Sequence, residues 1–423
     1  MSLRILVTGT VGESLPPPYA GIPKHCLYLA RKWRESGEKV AMTFVYHHTG
    51  EDDLGAGAEY FFEYSAKPNK FKKALFLLKY FFQKPSLYLF LFRSYWKIEP
   101  RFSRELVLYA AYGVFLDAVM QKFKPDVVLT EAALIKSFMA GQVAKRRHIS
   151  VVLHSYAEIH DLSIGANKRL SELNRKHYWS SFLQLSNLVL APSRYCYRGP
   201  SEFVPDSKLK VIFFGIDVAK FSSVKVDQSV VRKELHLPLD DFYAIAVGAL
   251  TWRKGHDHLI RAAGLLKKQG KPIRVILCGP GDTTVWKDLA KAEGVADRVH
   301  FFSGLSDVDL IKLYQASDLY CDASNSQRAC LGMSLTEGMA VGLPAVVYNA
   351  GGLPEVVFEN KNGFLVPLND IDALAATIDK IRQMPKEDRN IMGESGQKLA
   401  WELVDINKEA VNVLEEIKNL LKL

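Results

Sequence analysis

Two stretches, Arg4-Ile-Leu-Val-Thr-Gly9 and Tyr243-Ala-Ile-Ala-Val-Gly248, open the two halves of the chain in the same way. Each is a short apolar run that ends in glycine, and a loop and then apolar residues at helical spacing follow it. Further strand-length apolar runs alternate with helical patterns, at 127–130, 151–154, 188–191, 274–278, 319–322 and 345–348. Such alternation is typical of parallel sheets covered by helices on both faces. The sequence therefore predicts an α/β protein with two facing Rossmann-like domains.

The length of the chain, 423 residues, exceeds the size at which one hydrophobic core stops growing, so two domains are expected. A hydrophobic content of 48% and a charged content of 24% are ordinary for globular proteins and exclude disordered, collagen-like and fibrous classes. Turn-forming and charged residues follow the strand-like run 210–213, which indicates a boundary there. We predict domains over 1–212 and 213–394, and a C-terminal helix over 395–423 that returns to the first domain.

The cysteines and the apolar runs indicate in which cellular compartment the chain resides and whether it spans a membrane. Five cysteines, an odd number without a C-x-x-C pair, are typical of a reduced, cytosolic protein. The first apolar run is too short for a secretory signal. The longest charge-free hydrophobic stretch considered, 106–116, is shorter than the roughly 20 residues that a spanning helix needs. We expect a cytoplasmic chain that does not cross a membrane.

The net charge of +9 is concentrated in residues 61–104, which hold ten basic and two acidic residues among many aromatic ones. Basic residues mixed with large aromatic rings are typical of a surface that lies on anionic lipid. Each Lys or Arg near such a surface contributes about 1 kcal/mol. The alternative is a buried helical hairpin whose lysines reach water. Nucleic acid is not expected as a partner, because no recognisable binding motif accompanies the charge. The predicted membrane contacts are Lys70, Lys72, Lys73, Lys79, Phe81, Phe82 and Trp96.

Candidate ligand-binding residues follow several predicted strands, at the edge where Rossmann-like domains bind ligands. They are the loop around Gly21, His154, Lys254 and the segment 331–337. A helix beginning near Met333 would offer free N–H groups and its positive dipole end to an anion. Lys254 supplies an ammonium group for the same anion. These residues predict a diphosphate site between the domains.

Ordered motifs lie between residues 211 and 370. They are Phe214-Gly-Ile-Asp217 with Phe221, Val247-Gly-Ala-Leu250 with Arg253-Lys-Gly255, Leu277-Cys-Gly-Pro-Gly281, Val299-His-Phe-Phe-Ser-Gly304, Gly332-Met-Ser-Leu-Thr-Glu-Gly-Met-Ala340, and Gly351-Gly-Leu-Pro-Glu355 with Asn362-Gly-Phe-Leu-Val-Pro367. This ordered set resembles the motifs of the retaining nucleotide-sugar glycosyltransferases of family 4, which have the GT-B fold. The first half resembles that family more thinly, through Ala20-Gly-Ile-Pro-Lys-His25, His154 and Ala191-Pro-Ser193.

The resemblance implies a role for each matching residue. Arg253 and Lys254 would stabilise the donor diphosphate, and His154 would lie near the anomeric carbon. Glu337 would bind the ribose hydroxyls, and Leu305, in the loop after Gly304, would contact the base. The remaining donor-binding residues implied are glycines and backbone N–H donors, namely Gly21, Gly279, Gly332, Met333 and Ser334.

The same resemblance implies glycosyl transfer with retention of anomeric configuration, without a metal ion or other cofactor. The donor would be a UDP- or GDP-linked sugar. The basic aromatic segment 61–104 adds the expectation of a lipid-linked or glycan acceptor, met at the inner face of the membrane.

Two residues depart from the family pattern. Ala329 stands where the first acid of the E-x7-E motif is expected, and Ala249 stands where an arginine is usual. One hydrogen bond to a charged group contributes about 1.5–3 kcal/mol, whereas catalysis requires a barrier reduction of at least about 8 kcal/mol. Losing both bonds leaves open a non-catalytic sugar-nucleotide-binding protein. A second alternative is a GT-B enzyme of other chemistry, such as a sugar-nucleotide epimerase.

Overall fold

The structure, a computed structural model, describes residues 2–9, 21–46, 57–64, 67–98, 104–156, 172–223, 226–325 and 329–423. The chain forms two compact units. Unit 1 comprises Met1–Phe213 and Ile406–Leu423, and unit 2 comprises Phe214–Asp405.

Unit 1 is built on a seven-stranded parallel sheet with the strand order β3-β2-β1-β4-β5-β6-β7. Its strands are short and largely buried, as expected when helices cover both faces of a sheet. They are β1 Arg4–Gly9, β2 Lys39–Tyr46, β3 Glu59–Tyr64, β4 Val127–Glu131, β5 Ser150–His154, β6 Leu188–Ala191 and β7 Leu209–Val211. The sequence patterns did not predict β2 and β3, which extend one edge of the sheet.

The helices of unit 1 are α1 Gly21–Glu35, α2 Lys70–Gln83, α3 Pro85–Trp96, α4 Arg104–Phe123, α5 Ile135–Arg146, α6 Glu172–Leu183 and α7 Arg194–Ser201. Within α4, Leu106–Phe123 is long and apolar enough to span a membrane by length and composition, but 67% of that stretch is buried. It packs against α2, α3 and α5. This helix therefore serves as a core helix of unit 1.

Helices α2 and α3 each bury one side and expose the other. The side of α2 that packs towards α4 buries Phe76 and Tyr80, and the corresponding side of α3 buries Leu87, Tyr88 and Leu91. This buried side is what the hairpin alternative predicts for residues 61–104. The other side remains exposed and carries both charged and apolar residues.

Unit 2 repeats the plan of unit 1 with a six-stranded parallel sheet in the order β10-β9-β8-β11-β12-β13. Its strands are β8 Tyr243–Val247, β9 Arg274–Cys278, β10 Val299–Phe302, β11 Leu319–Asp322, β12 Ala345–Tyr348 and β13 Gly363–Val366. Its helices are α8 Val218–Ser223, α9 Gln228–Glu234, α10 His256–Lys268, α11 Thr284–Ala292, α12 Asp307–Gln315, α13 Met333–Val341, α14 Ile371–Gln383 and α15 Lys386–Leu403. In both units the strand order reverses beside the first strand, the position where such sheets bind ligands.

The end of the chain differs from the prediction of one helix over 395–423. Residues 395–403 continue α15 in unit 2, because Leu399 and Ala400 are buried there and Gln397 donates a hydrogen bond to the Ala340 carbonyl at 2.8 Å. Only the last helix, α16 Ile406–Leu421, belongs to unit 1. There the Trp33 indole N–H donates to the Ala410 carbonyl at 3.0 Å, which joins α16 to α1. The boundary therefore lies at Asp405, not at the predicted residue 394.

Candidate functional site

The N-terminus of α13 forms an anion-accepting end in unit 2. Gly332 precedes this helix with a φ of +79°, a left-handed conformation that favours glycine. A Cβ at this position would also lie only 3.0 Å from Leu353 Cδ2. Met333 and Ser334, the first residues of the helix, are half-buried. First-turn N–H groups lack partners within a helix, so this end favours a phosphate or a sugar hydroxyl.

Glu337 lies one turn further along α13, with its carboxylate buried among tyrosines. Tyr314 donates its hydroxyl hydrogen towards Glu337 Oε2 at 3.1 Å and lies 3.1 Å from the Ser334 carbonyl oxygen. The Tyr320 hydroxyl lies 2.9 Å from Ser334 Oγ. Burial, and then the neighbouring Glu337 charge, raises the pKa of Tyr314 well above its usual value, so this hydroxyl stays a donor. Sequence reasoning missed both tyrosines, because they occupy ordinary apolar positions of α12 and β11.

Lys254 and Arg253 lie in a 3₁₀ turn, Trp252–Lys254, that follows β8. Gly255, with a φ of +64°, ends this turn, and a Cβ there would lie 1.7 Å from the Ala323 carbonyl oxygen. Asn325 reinforces this approach, since its amide donates to the Trp252 carbonyl at 2.8 Å. Strands β8 and β11 are hydrogen-bonded neighbours. The turn with Lys254 follows β8, and the segment that leads into α13 follows β11. The structure therefore brings both to the carboxyl-terminal ends of two neighbouring central strands.

The remaining predicted donor residues of unit 2 also follow strands. Gly279 directly follows β9, and its N–H donates to the Phe302 carbonyl at 2.9 Å. Leu305 is half-buried and lies just before Ser306, the N-cap of α12.

Of the two departures from the family pattern, Ala249 is exposed. Ala329 is half-buried, and its carbonyl accepts a hydrogen bond from the Gly352 N–H at 2.8 Å. Residues 327–328 of the same segment lie outside the described residues.

In unit 1, His154 ends β5 and is buried. Its Nδ1 lies 3.0 Å from Oε1 of Glu131, the last residue of β4. Tyr156 donates to the second oxygen of the same carboxylate. Glu131 was missed in the sequence, although the signal that identified His154, a titratable residue closing an apolar strand, applies to it equally. Gly21 begins α1, and residues 12–20 of the loop before it lie outside the described residues.

The predicted membrane contacts lie on α2 and α3. Lys70, Lys73, Lys79, Phe82 and Trp96 are exposed. Lys72 is half-buried, and so is Phe81, whose ring packs 5.3 Å from that of Tyr88. Four large, exposed hydrophobic residues of these helices were not among the predicted contacts, namely Phe71, Leu75, Leu78 and Leu89.

Among the described residues, no group of three His, Cys, Asp or Glu side chains is arranged to hold a metal ion.

Comparison with known proteins finds similarity to glycosyltransferases. Residues 227–399 match the family model described as glycosyl transferases group 1. AmsK of Erwinia amylovora, named an amylovoran biosynthesis glycosyltransferase, is 29% identical over 251 residues, covering 58% of this chain and 59% of AmsK. A D-inositol 3-phosphate glycosyltransferase of Salinispora tropica is 30% identical over 229 residues, covering 48% of this chain and 47% of that protein. The chain spans about half the length of the curated relatives it matches.

A solved structure is similar over the whole chain. HepE of Anabaena, determined in complex with UDP-glucose, has a TM-score of 0.72 at 17% identity, with 99% of this chain and 100% of HepE covered. At this identity the likeness concerns the fold. Together with the two parallel sheets, it confirms the predicted α/β, GT-B fold class.

Proposed function

We propose that this chain is a retaining glycosyltransferase of family 4, which moves a sugar from a nucleoside diphosphate sugar to an acceptor. The observation that carries the proposal is the N-terminus of α13, which lies at the same sheet edge as Lys254 within the region that matches glycosyl transferases group 1. HepE binds UDP-glucose, which makes a UDP-linked sugar the first donor to test. GDP-linked sugars are the second.

The resemblance to family 4 implies the following donor roles, and the positions of the residues after the strands support them. Lys254 and Arg253 bind the diphosphate, and the N–H groups that begin α13 hold the distal phosphate and the sugar. Glu337 accepts hydrogen bonds from the ribose hydroxyls, and the segment with Leu305 contacts the base. Gly279 and Gly21 allow close approach of the backbone. His154 acts near the anomeric carbon.

In the proposed reaction, the bond between the anomeric carbon and the diphosphate oxygen breaks. The acceptor oxygen bonds to that carbon on the same face, and the acceptor proton passes to the leaving phosphate. Lys254, Arg253 and the α13 N-terminus stabilise the negative charge that develops on the leaving group, and such stabilisation is usually the largest catalytic term. The proposal uses no metal ion or other cofactor.

The test is incubation with UDP-, GDP- and ADP-sugars, followed by measurement of nucleotide release and of thermal stabilisation. NMR of the product should show the anomeric configuration of the donor. Binding without nucleotide release from any donor would instead support the non-catalytic alternative, which the alanines at 249 and 329 favour. Conversion of the donor sugar without an acceptor would support the epimerase.

We propose further that the protein is cytoplasmic and peripheral at the inner membrane face, where it meets a lipid-linked or glycan acceptor. The exposed side of α2 supports this. Phe71, Leu75, Leu78 and Phe82 are spaced by four, three and four residues, so they form one stripe along the helix. Phe71 is 70% exposed and Phe82 is 73% exposed. Lysines flank this stripe, as in helices that lie on anionic lipid.

The membrane proposal is tested by sedimentation with vesicles. Replacing Lys70, Lys72, Lys73 and Lys79 with Gln should release the protein from vesicles that contain anionic lipid. The charge-matched control replaces four exposed lysines of unit 2, Lys267, Lys268, Lys287 and Lys291, and should bind like the wild type. Binding should fall as salt rises, because screening shortens electrostatic reach to about 8 Å at physiological ionic strength. Equal binding to neutral and anionic vesicles, or none to either, would refute the membrane proposal.

A second variant distinguishes insertion of the apolar stripe into lipid from electrostatic attraction of the lysines to lipid. Phe71→Ser with Phe82→Ser keeps every lysine but removes the two most exposed rings of the stripe. It should lose the part of vesicle binding that survives high salt. If that part is unchanged, the apolar stripe does not enter the lipid.

A further inference from the structure

Two histidines and two glutamates lie buried together in unit 1. Glu131 and His154 are partners in register on the adjacent parallel strands β4 and β5. The His154 ring lies 6.1 Å from the His25 ring, between centroids. His25, on α1, places Nε2 at 2.9 and 2.8 Å from the two carboxylate oxygens of Glu409 on α16. All four side chains are at most 3% exposed.

We propose that Glu131 is a positioning residue, which holds His154 as a protonated imidazolium with Nδ1 directed at the Glu131 carboxylate. The inference rests on the proposed function and deepens it. Since Nδ1 is engaged by Glu131, any hydrogen bond from His154 to a substrate is made by Nε2. A protonated Nε2 donates to an oxygen of the sugar or phosphate and does not accept a proton.

The surroundings of His154 favour the charged form. Around the Glu131–His154 pair, the titratable side chains of the described residues include His25, Glu409, Tyr156 and Cys26. Burial raises the pKa of the Cys26 thiol well above its usual value, so this group stays neutral. An uncompensated carboxylate in such an interior is strongly disfavoured. The His154 imidazolium, with Nδ1 3.0 Å from Glu131 Oε1, compensates the charge of the Glu131 carboxylate.

The pKa shifts of the pair agree with its geometry. Burial by itself lowers the pKa of His154, but the adjacent Glu131 carboxylate raises it above its usual value. Burial by itself raises the pKa of Glu131, yet His154 and the other donors hold it below its usual value. Both shifts favour the ion pair.

This assignment has a mechanistic consequence. A histidine that is already protonated does not remove the proton of the acceptor hydroxyl. The acceptor proton must go elsewhere, and the leaving phosphate is the base in the proposed reaction. His154 then contributes a fixed, charged donor near the reacting atoms, a kind of group that stabilises developing charge.

The experiment combines NMR with kinetics on the full chain. Histidine ring nitrogens are labelled with 15N, and His154 is assigned with a His154→Gln variant. Wild-type His154 should remain an imidazolium above pH 7. In Glu131→Gln the carboxylate charge is lost while the size is kept, so the pKa of His154 should fall by about one unit or more. The alkaline limb of the kcat/KM profile should move to lower pH by the same amount.

Two controls isolate the pair. Glu131→Asp retains the charge and should keep the wild-type profile. Glu409→Gln removes a carboxylate that bonds to His25, and it should move the limb much less. UDP affinity, for which the proposed site draws most of its contacts from unit 2, should change little in Glu131→Gln, Glu131→Asp and Glu409→Gln.

The outcomes separate this proposal from the proposed function. A neutral His154 at pH 7 in the wild type, or an unchanged His154 titration in Glu131→Gln, overturns the pairing whether or not transfer occurs. If Glu131→Gln shifts the His154 titration and still transfers sugar, but the alkaline limb of its kcat/KM profile does not move, the positioning role is overturned. If Glu131→Gln shifts the His154 titration, but the wild-type protein transfers sugar from no sugar nucleotide, the pairing of Glu131 with His154 stands and the proposed function is overturned.

Discussion

Glu337→Gln should weaken nucleotide binding about 30-fold. The side chain is 6% exposed, so solvent screens its charge little. A hydrogen bond to a charged group contributes about 1.5–3 kcal/mol, and one to a neutral group about 0.5–1.5 kcal/mol. The substitution therefore costs about 1 kcal/mol for each ribose hydroxyl, or about 2 kcal/mol for both. Since about 1.4 kcal/mol corresponds to a tenfold change, the loss is about 30-fold in Kd.

The substitution leaves the local fold in place. Glutamine has the volume of glutamate, and its carbonyl oxygen still accepts the Tyr314 hydroxyl, which lies 3.1 Å from Glu337 Oε2. Calorimetry with UDP and GDP measures the effect, and Glu387→Gln, an exposed glutamate of the same unit, is the control.

A ligand change makes the assay specific for the ribose. Wild-type protein should bind 2′-deoxy-UDP about tenfold more weakly than UDP. Glu337→Gln should discriminate between the two ligands much less. An unchanged affinity for UDP in Glu337→Gln, or equal discrimination in both proteins, would refute the assignment of Glu337 to the ribose.

Three further predictions concern other parts of the chain. Lys254→Ala should lower kcat/KM by at least about tenfold, because a charged contact to the diphosphate is lost. The control Lys268→Ala, which replaces an exposed lysine of the same unit, should retain the wild-type kcat/KM. A Lys254→Ala enzyme with at least half of the wild-type kcat/KM would contradict the assignment of Lys254 to the diphosphate. Ala329→Glu, which restores the missing acid, should change selectivity among donor sugars while UDP affinity stays constant, and an unaltered donor panel would count against it. Leu91→Ala should lower the free energy of unfolding by about 2–5 kcal/mol because Leu91 is 0% exposed. Leu89→Ala, on the exposed side of the same helix, should lower it by less than about 0.5 kcal/mol in urea denaturation; equal effects would mean that α3 packs differently.

Much of the candidate site in unit 2 was predictable because its geometry depends on local sequence. Gly332 followed by a helical pattern indicates an anion-accepting helix end, and a lysine after a strand indicates a second anion contact. The structure places both after the carboxyl-terminal ends of neighbouring strands in the unit 2 sheet. The position of His154 after an apolar run made it a candidate ligand-binding residue, and the resemblance to family 4 implied its role. That same rule was not applied to Glu131, which directly follows the run 127–130.

The segment 61–104 shows how composition alone leaves alternatives open. Its charge and aromatic content predict either a lipid-facing surface or a buried hairpin. The structure shows that α2 and α3 bury one side and expose the other. Phe81 was expected on the surface but packs against Tyr88, whereas Phe71 is exposed. Which aromatic residues face solvent depends on the packing of both helices against α4, and the residue count does not contain that information.

The sequence by itself determined the α/β class, the repeated plan of two Rossmann-like units and the helix end at Gly332, because these follow from short-range periodicity and from a glycine placed just before a helical pattern. Only the tertiary structure decided which side chains surround the candidate groups. Tyr314 reaches Glu337 across 23 residues, Glu131 meets His154 across 23 residues, and His25 pairs with Glu409 across 384 residues. Such neighbours depend on strand order, register and the return of α16 to unit 1. These are properties of long-range packing, which local periodicity does not record.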